Sequence, residues 1–137
     1  MYLEKIIDLS ITGASEAGNV ENKTKGTLEE IDGNIVIKYY EQFEGDSIRT
    51  ENILTVSGNI VTLEKKGGVN VIMRFESGKS HDAIYNTQAG PVSLLIKTIS
   101  VYSKPHEKGV DLELIYKICF SPQDEAENKL NLKAVYN

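Results

Sequence analysis

At 137 residues the chain has the size of one domain with a single substantial core, and its 40% apolar and 26% charged content is that of a globular protein. Twenty acids against fifteen bases, a formal charge of −5, argue against a nucleic-acid binder, which must neutralise phosphates with clustered Lys and Arg. Cys119 is the one cysteine, so no intramolecular disulfide exists, and no run approaches the roughly 18 apolar residues of a membrane span; a reduced, cytoplasmic protein without nucleic acid or membrane among its partners is expected.

From the N-terminus, Glu4, Lys5 and Asp8 interrupt the apolar residues of MYLEKIIDLSITGAS, which therefore lacks the continuous apolar core of roughly 7–15 residues that a secretory signal needs. Beyond it nearly every apolar run alternates with period two, the pattern of a strand buried on one face. In NIVIKYYE, Ile35, Ile37 and Tyr39 share one face while Val36, Lys38 and Tyr40 share the other. In GVNVIMRFES, Val69, Val71, Met73 and Phe75 oppose Asn70, Arg74 and Glu76. The stretch YNTQAGPVSLLIKTISV turns a corner at Gly90-Pro91; past it Val92, Leu94, Ile96 and Thr98 are expected inward, and Leu95, Ile99 and Val101 outward. In GVDLELIYKICF, Val110, Leu112, Leu114, Tyr116, Ile118 and Phe120 are expected inward, opposite Asp111, Glu113, Ile115, Lys117 and Cys119. The last run sets Leu130, Leu132, Ala134 and Tyr136 against Asn131, Lys133 and Val135.

Asp32-Gly33-Asn34, Ser57-Gly58-Asn59 and Lys66-Gly67-Gly68 fall between these runs at hairpin spacing, where Gly and Asn suit the positive φ of primed turns. Connections are short, unlike the long crossovers of a Greek-key sandwich. The fold class is therefore all-β: residues 1–137 form a single antiparallel up-and-down (meander) β-barrel of about 8–10 strands.

Five segments in this order, KGTLEEIDGNIVIKYYE, GGVNVIMRFESG, YNTQAGPVSLLIKT, GVDLELIYKICF and NKLNLKAVYN, resemble a family of small bacterial proteins of unknown function, the DUF1934 or YwiB-like family, over roughly residues 9–136. The resemblance implies a calycin-like barrel, related in shape to lipocalins, with no established activity. It also implies a basic residue, commonly Arg, ahead of a hairpin glycine; Lys65 holds that place ahead of Gly67.

No catalytic or metal site is legible. His81 and His106 are the only histidines, and neither has partners at metal-ligand spacing; both are expected at the surface or rim. Cys119 has only Lys117 on its face to activate it, so an inert thiol is expected. No Gly-x-Ser-x-Gly elbow or phosphate-binding loop occurs, and Glu29-Glu30 reads as a solvated pair beside a turn. The inward face is expected to be nearly free of Asp, Glu, His and Lys, so no enzyme and no cofactor are expected.

The tyrosines carry more. Tyr39, Tyr85 and Tyr116 fall on inward faces, and an inward Tyr buries a large ring while its hydroxyl needs a partner. With Thr87, Thr98, Met73, Phe75 and Leu114 they would line an apolar lumen with a few polar points, as small-molecule pockets have. Two readings follow. The first is a non-enzymatic barrel that binds a small apolar or amphipathic ligand. The second is a structural or interaction module without ligand, a homodimer for example, using the outward apolar residues Val36, Tyr40, Leu95, Ile99, Val101 and Ile115.

Overall fold

Period-two alternation commits each expected run to a strand, because only an extended chain buries every second side chain on one surface. The computed structural model describes residues 4–16, 18–42, 47–87 and 89–137, with the side chain of Thr87 outside that description. The strands are β1 (Glu4–Ser15), β2 (Gly18–Ile31), β3 (Asn34–Glu41), β4 (Thr50–Ser57), β5 (Ile60–Lys66), β6 (Val71–Glu76), β7 (Ser80–Thr87), β8 (Gly90–His106), β9 (Gly109–Ser121) and β10 (Asp124–Tyr136).

They form one ten-stranded antiparallel sheet, ordered β6-β5-β4-β3-β2-β1-β10-β9-β8-β7. Consecutive strands other than β6 and β7 pair as hairpins, and β1 pairs with β10 from Ile7↔Tyr136 to Ser15↔Asn128. The sheet curls into a nearly closed up-and-down barrel. Its seam lies not between the first and last strands but between β6 and β7, which are consecutive in the chain yet share no ladder.

The turns follow the expected chemistry. Asp32 (φ 52°) and Gly33 (φ 82°) both adopt the left-handed conformation of a type I′ turn, and Gly58 (φ 58°) opens the two-residue turn between β4 and β5. Inward side chains, among them Ile7, Ile37, Leu54, Phe75, Ile96 and Leu114, form one continuous core. Each contributes about 1.5–3 kcal/mol by leaving water.

Two irregularities change which side chains face inward. The β8–β9 register slips between Thr98↔Tyr116 and Ser100↔Ile115, so Ile99 is an extra residue in a bulge. Beyond it the faces exchange: Val101, expected outward, packs against the core, while Ile99 stays exposed. The β9–β10 register slips between Asp124↔Ser121 and Glu125↔Cys119, which leaves Phe120 unopposed. Phe120, expected inward, is 57% exposed; Cys119, on the outward face, is only 6% exposed, flanked across the ladders by Leu95 and Glu125.

Because strands alternate in direction, β3, β5 and β7 all end at the same rim as the β1–β2 and β9–β10 turns. This rim is called the mouth below.

Candidate functional site

Three inward series approach the mouth on neighbouring strands. Ile35, Ile37 and Tyr39 lead to Glu41; Val61 and Leu63 lead to Lys65; and Asn52 lies between Thr50 and Leu54 on the inward face of β4. The registers align Tyr39 with Asn52 and Asn52 with Lys65. Lys65 Nζ donates to Glu41 Oε1 at 2.6 Å and to Asn52 Oδ1 at 2.7 Å, and Asn52 Nδ2 donates to the same Glu41 oxygen at 2.7 Å. The triangle is closed: each member satisfies the other two.

Asn52 is fully buried, and the side chains of Glu41 and Lys65 are each 18% exposed. A carboxylate and an ammonium tolerate that desolvation only when paired. The expectation of an inward face nearly free of ionisable groups is thus corrected: the barrel carries an inward ion pair below its mouth. Gly67 helps to seat it. At φ +134° it brings the β5–β6 turn against the Arg49 carbonyl, where any Cβ would collide. The Asn70 side chain clips the same turn, accepting from Gly67 N at 3.2 Å and donating to Gly67 O at 2.9 Å.

Burial, then the Glu41 carboxylate, drives the Tyr39 hydroxyl far above its ordinary pKa and raises that of Tyr85. Tyr116 is raised by burial and, secondarily, by Tyr85. Glu41 thus acts on Tyr39 and Tyr85, and Tyr116 is linked to it only through Tyr85. Phe75 meets Tyr116 edge to face, ring centroids 4.8 Å apart.

Of the eight residues expected to line a lumen, Tyr39, Met73, Phe75, Thr98 and Leu114 are buried, and Tyr85 and Tyr116 are half-buried at the border of the core. The eighth, Thr87, has its backbone at the end of β7, paired with Gly90, while its side chain lies outside the described residues. Thr98 Oγ1 and His81 Nδ1 are buried without a hydrogen-bond partner among the described residues. The β7–β8 register pairs His81 with Ile96, so these two atoms come from diagonal positions on adjacent strands.

Outside this cluster, a cleft of about 820 Å³ runs along the β6–β7 seam, and Lys65, Val71, His81 and Ala83 are among its walls. Lys65 thus belongs both to the polar triangle and to the cleft. Sequence reading missed Glu41, Asn52 and Lys65 as a set; the signal was that two inward alternations end on opposite charges.

The remaining candidates fall as follows. His106 ends β8, opposite Gly109, its Nδ1 accepting from Lys108 N at 3.2 Å and its Nε2 lying 3.6 Å from Asp111. Desolvation, then Glu125, raises the Cys119 thiol pKa, outweighing Lys97 and Lys117, which accords with an inert cysteine. Glu29, read as solvated, is buried instead and stands opposite Glu4 across the β1–β2 ladder. A hydrogen bond with Glu4, then desolvation, raises its pKa. Among the described residues no group of three His, Cys, Asp or Glu is placed to hold a metal, and no helix is long and apolar enough to cross a membrane.

Comparison with known proteins agrees with this architecture. No curated protein matches the chain. The crystal structure of the ywiB protein from Bacillus subtilis superposes with a TM-score of 0.87 over 98% of this chain and 93% of the other, at 22% sequence identity, which establishes the shared fold. Residues 5–132 match the family described as a domain of unknown function, and the chain belongs to that family, DUF1934.

Proposed function

We propose that this chain is a non-enzymatic binding barrel for a small amphipathic ligand, held just inside the mouth with its polar end at the Glu41–Asn52–Lys65 triangle. The observation that carries this reading is the triangle itself, a charged group at the rim of an otherwise apolar interior and in contact with a cleft. A few fixed polar points in an apolar wall orient a small molecule. Lys65 keeps one N–H beyond the two given to Glu41 and Asn52 and can donate it to an anionic or hydroxyl-bearing head, Tyr85 and Tyr116 offer ring faces with hydroxyls, and the orphaned Thr98 Oγ1 and His81 Nδ1 offer further polar contacts. The setting proposed is the cytoplasm, to which the single unpaired cysteine is suited.

The test uses 1-anilinonaphthalene-8-sulfonate, an amphipathic anion, beside native mass spectrometry of protein purified from its own host. The expected result is a retained small molecule at one per chain and saturable dye fluorescence. Tyr85→Phe, at a half-exposed position, should weaken the dye several-fold, and Lys65→Met by about tenfold or more, the loss of one charge-assisted hydrogen bond. No retained mass together with no saturable dye binding overturns the reading.

The outer face supports a second reading, a homodimer without ligand, because Tyr40, Ile72, Ile84, Ile99 and Tyr102 expose large apolar surface there. Light scattering at the mass of one chain across a wide concentration range overturns it.

A further inference from the structure

The seam between β6 and β7 is fixed at both ends and unpaired between them. At the mouth end Asn70 and Asn86 form a bridge, with Asn86 N donating to Asn70 O at 3.0 Å. At the other end the turn is tied to the β8 bulge: Gly78 N donates to Thr98 O at 2.9 Å, Thr98 N to Lys79 O at 3.0 Å, and Val101 N to Ser77 Oγ at 2.9 Å. Backbone groups alternate sides along a strand. Since the Asn70 carbonyl and the Asn86 amide point into the seam, Ile72 and Arg74 on one lip and Asp82 and Ile84 on the other present their N–H and C=O groups there as well. No ladder joins them.

The two lips match. The register set by Asn70↔Asn86 runs without slip to Glu76 and Ser80 at the turn. It places Ile72 opposite Ile84 and Arg74 opposite Asp82. Both isoleucines are exposed, at 58% and 57%, and among the described residues neither Arg74 nor Asp82 has an ion-pair partner. Zipping this register would cover two apolar side chains, pair two charges and satisfy both rows of backbone groups, each a favourable cross-strand interaction. It would also narrow the cleft that leads to Lys65 and to the orphaned His81 Nδ1.

We infer that the β6–β7 seam is a lateral gate: open, it admits a small ligand to the Lys65 cluster; zipped in the Asn70↔Asn86 register, it shuts that route. The gate is a regulation of the proposed binding site and rests on that reading. Its hinges are the Asn70–Asn86 bridge and the turn anchored on β8, and only the strand middles between them move.

The experiment is a reversible lock. In a Cys119→Ser background, Ile72→Cys with Ile84→Cys puts two thiols at positions that the zipped register brings to about 5.5 Å between Cα atoms, where a short bifunctional methanethiosulfonate can join them through reducible bonds. Expected results are cross-linking by that reagent, exchange at the Arg74 and Asp82 amides slowed by about tenfold or more, and dye uptake in stopped flow slowed by a similar factor. Reduction should restore both rates. Failure of the cross-link to form, or a cross-link that changes neither rate, overturns the gate. Slowed exchange with unchanged dye uptake overturns the access role and leaves binding through the mouth. A wild-type chain that binds no dye counts against the binding reading, and therefore the access role, while amide exchange still decides whether the seam zips.

Discussion

Glu41 and Lys65 mark the limit of what alternation says about a single residue. The inward faces of β3 and β5 follow from Ile37, Tyr39, Val61 and Leu63, but a charge after such a series reads as the end of burial. Its partner is 24 residues away, and only pairing makes the burial tolerable. Glu29 shows the same limit on the outer face, since the carboxyl to which it hydrogen-bonds lies across a ladder, at Glu4. The Glu29 pKa is raised in the folded chain, first by the hydrogen bond with Glu4 and then by desolvation. The sign follows from linkage: as pH rises the unfolded chain loses this proton first, so the associated stability is full in acid and is lost as pH passes through the raised folded value. Glu29→Gln, which keeps a donor and cannot ionise, should therefore stabilise the protein at neutral pH, and the gain should shrink toward nothing in acid. Thermal midpoints of both proteins across that pH range check this; a gain that grows in acid would reverse the assignment.

At the scale of elements, strands and turns were legible because each depends on neighbours in sequence, as the left-handed Asp32 and Gly33 show. The bulges were not. A bulge is set by the fit of one strand to another, and nothing local marks Ile99 as surplus when Leu95, Ile99 and Val101 all read as one face. The pairing makes the surplus visible: Thr98 and Val101 face inward opposite Tyr116 and Leu114, with two residues on β8 between them and one, Ile115, on β9. Deleting Ile99 should therefore leave every remaining side chain of β8 on its present face, and the variant should unfold cooperatively with a loss of about 1–2 kcal/mol, from the disturbed bulge contacts to Ser77 and Gly78. Deleting Ile53 from β4, whose two ladders run without slip, would instead exchange faces along one half of that strand, turning either Asn52 or Leu54 and Val56 outward. That variant should lose its cooperative transition in chemical denaturation. Equal stability of the two deletions would contradict the bulge assignment.

The barrel as a whole was legible in class and connectivity, because successive alternating runs with short turns leave few other ways to bury one face of each. Where the cylinder opens was not, since closure depends on how strands stagger around the ring rather than on any local pattern. In a meander opened between its ends, the last strand is an edge, and its loss would only widen the gap. Here β10 lies between β9 and β1, and its two ladders, Ile7↔Tyr136 to Ser15↔Asn128 and Val135↔Gly109 to Asp124↔Ser121, join the halves of the sheet. Its inward Leu132 and Ala134 are also part of the shared core. Ending the chain after Gln123 would therefore leave two partial sheets, β1 to β6 and β7 to β9, with no ladder between them and new edges on both sides. The expected outcome is no cooperative thermal transition and poor dispersion of amide resonances, recoverable by adding residues 124–137 as a separate peptide, which supplies both missing ladders at once. A truncated chain that folds alone with a sharp transition would show that the β6–β7 side of the ring holds the sheet together, and would place the weak point of the barrel somewhere other than the seam.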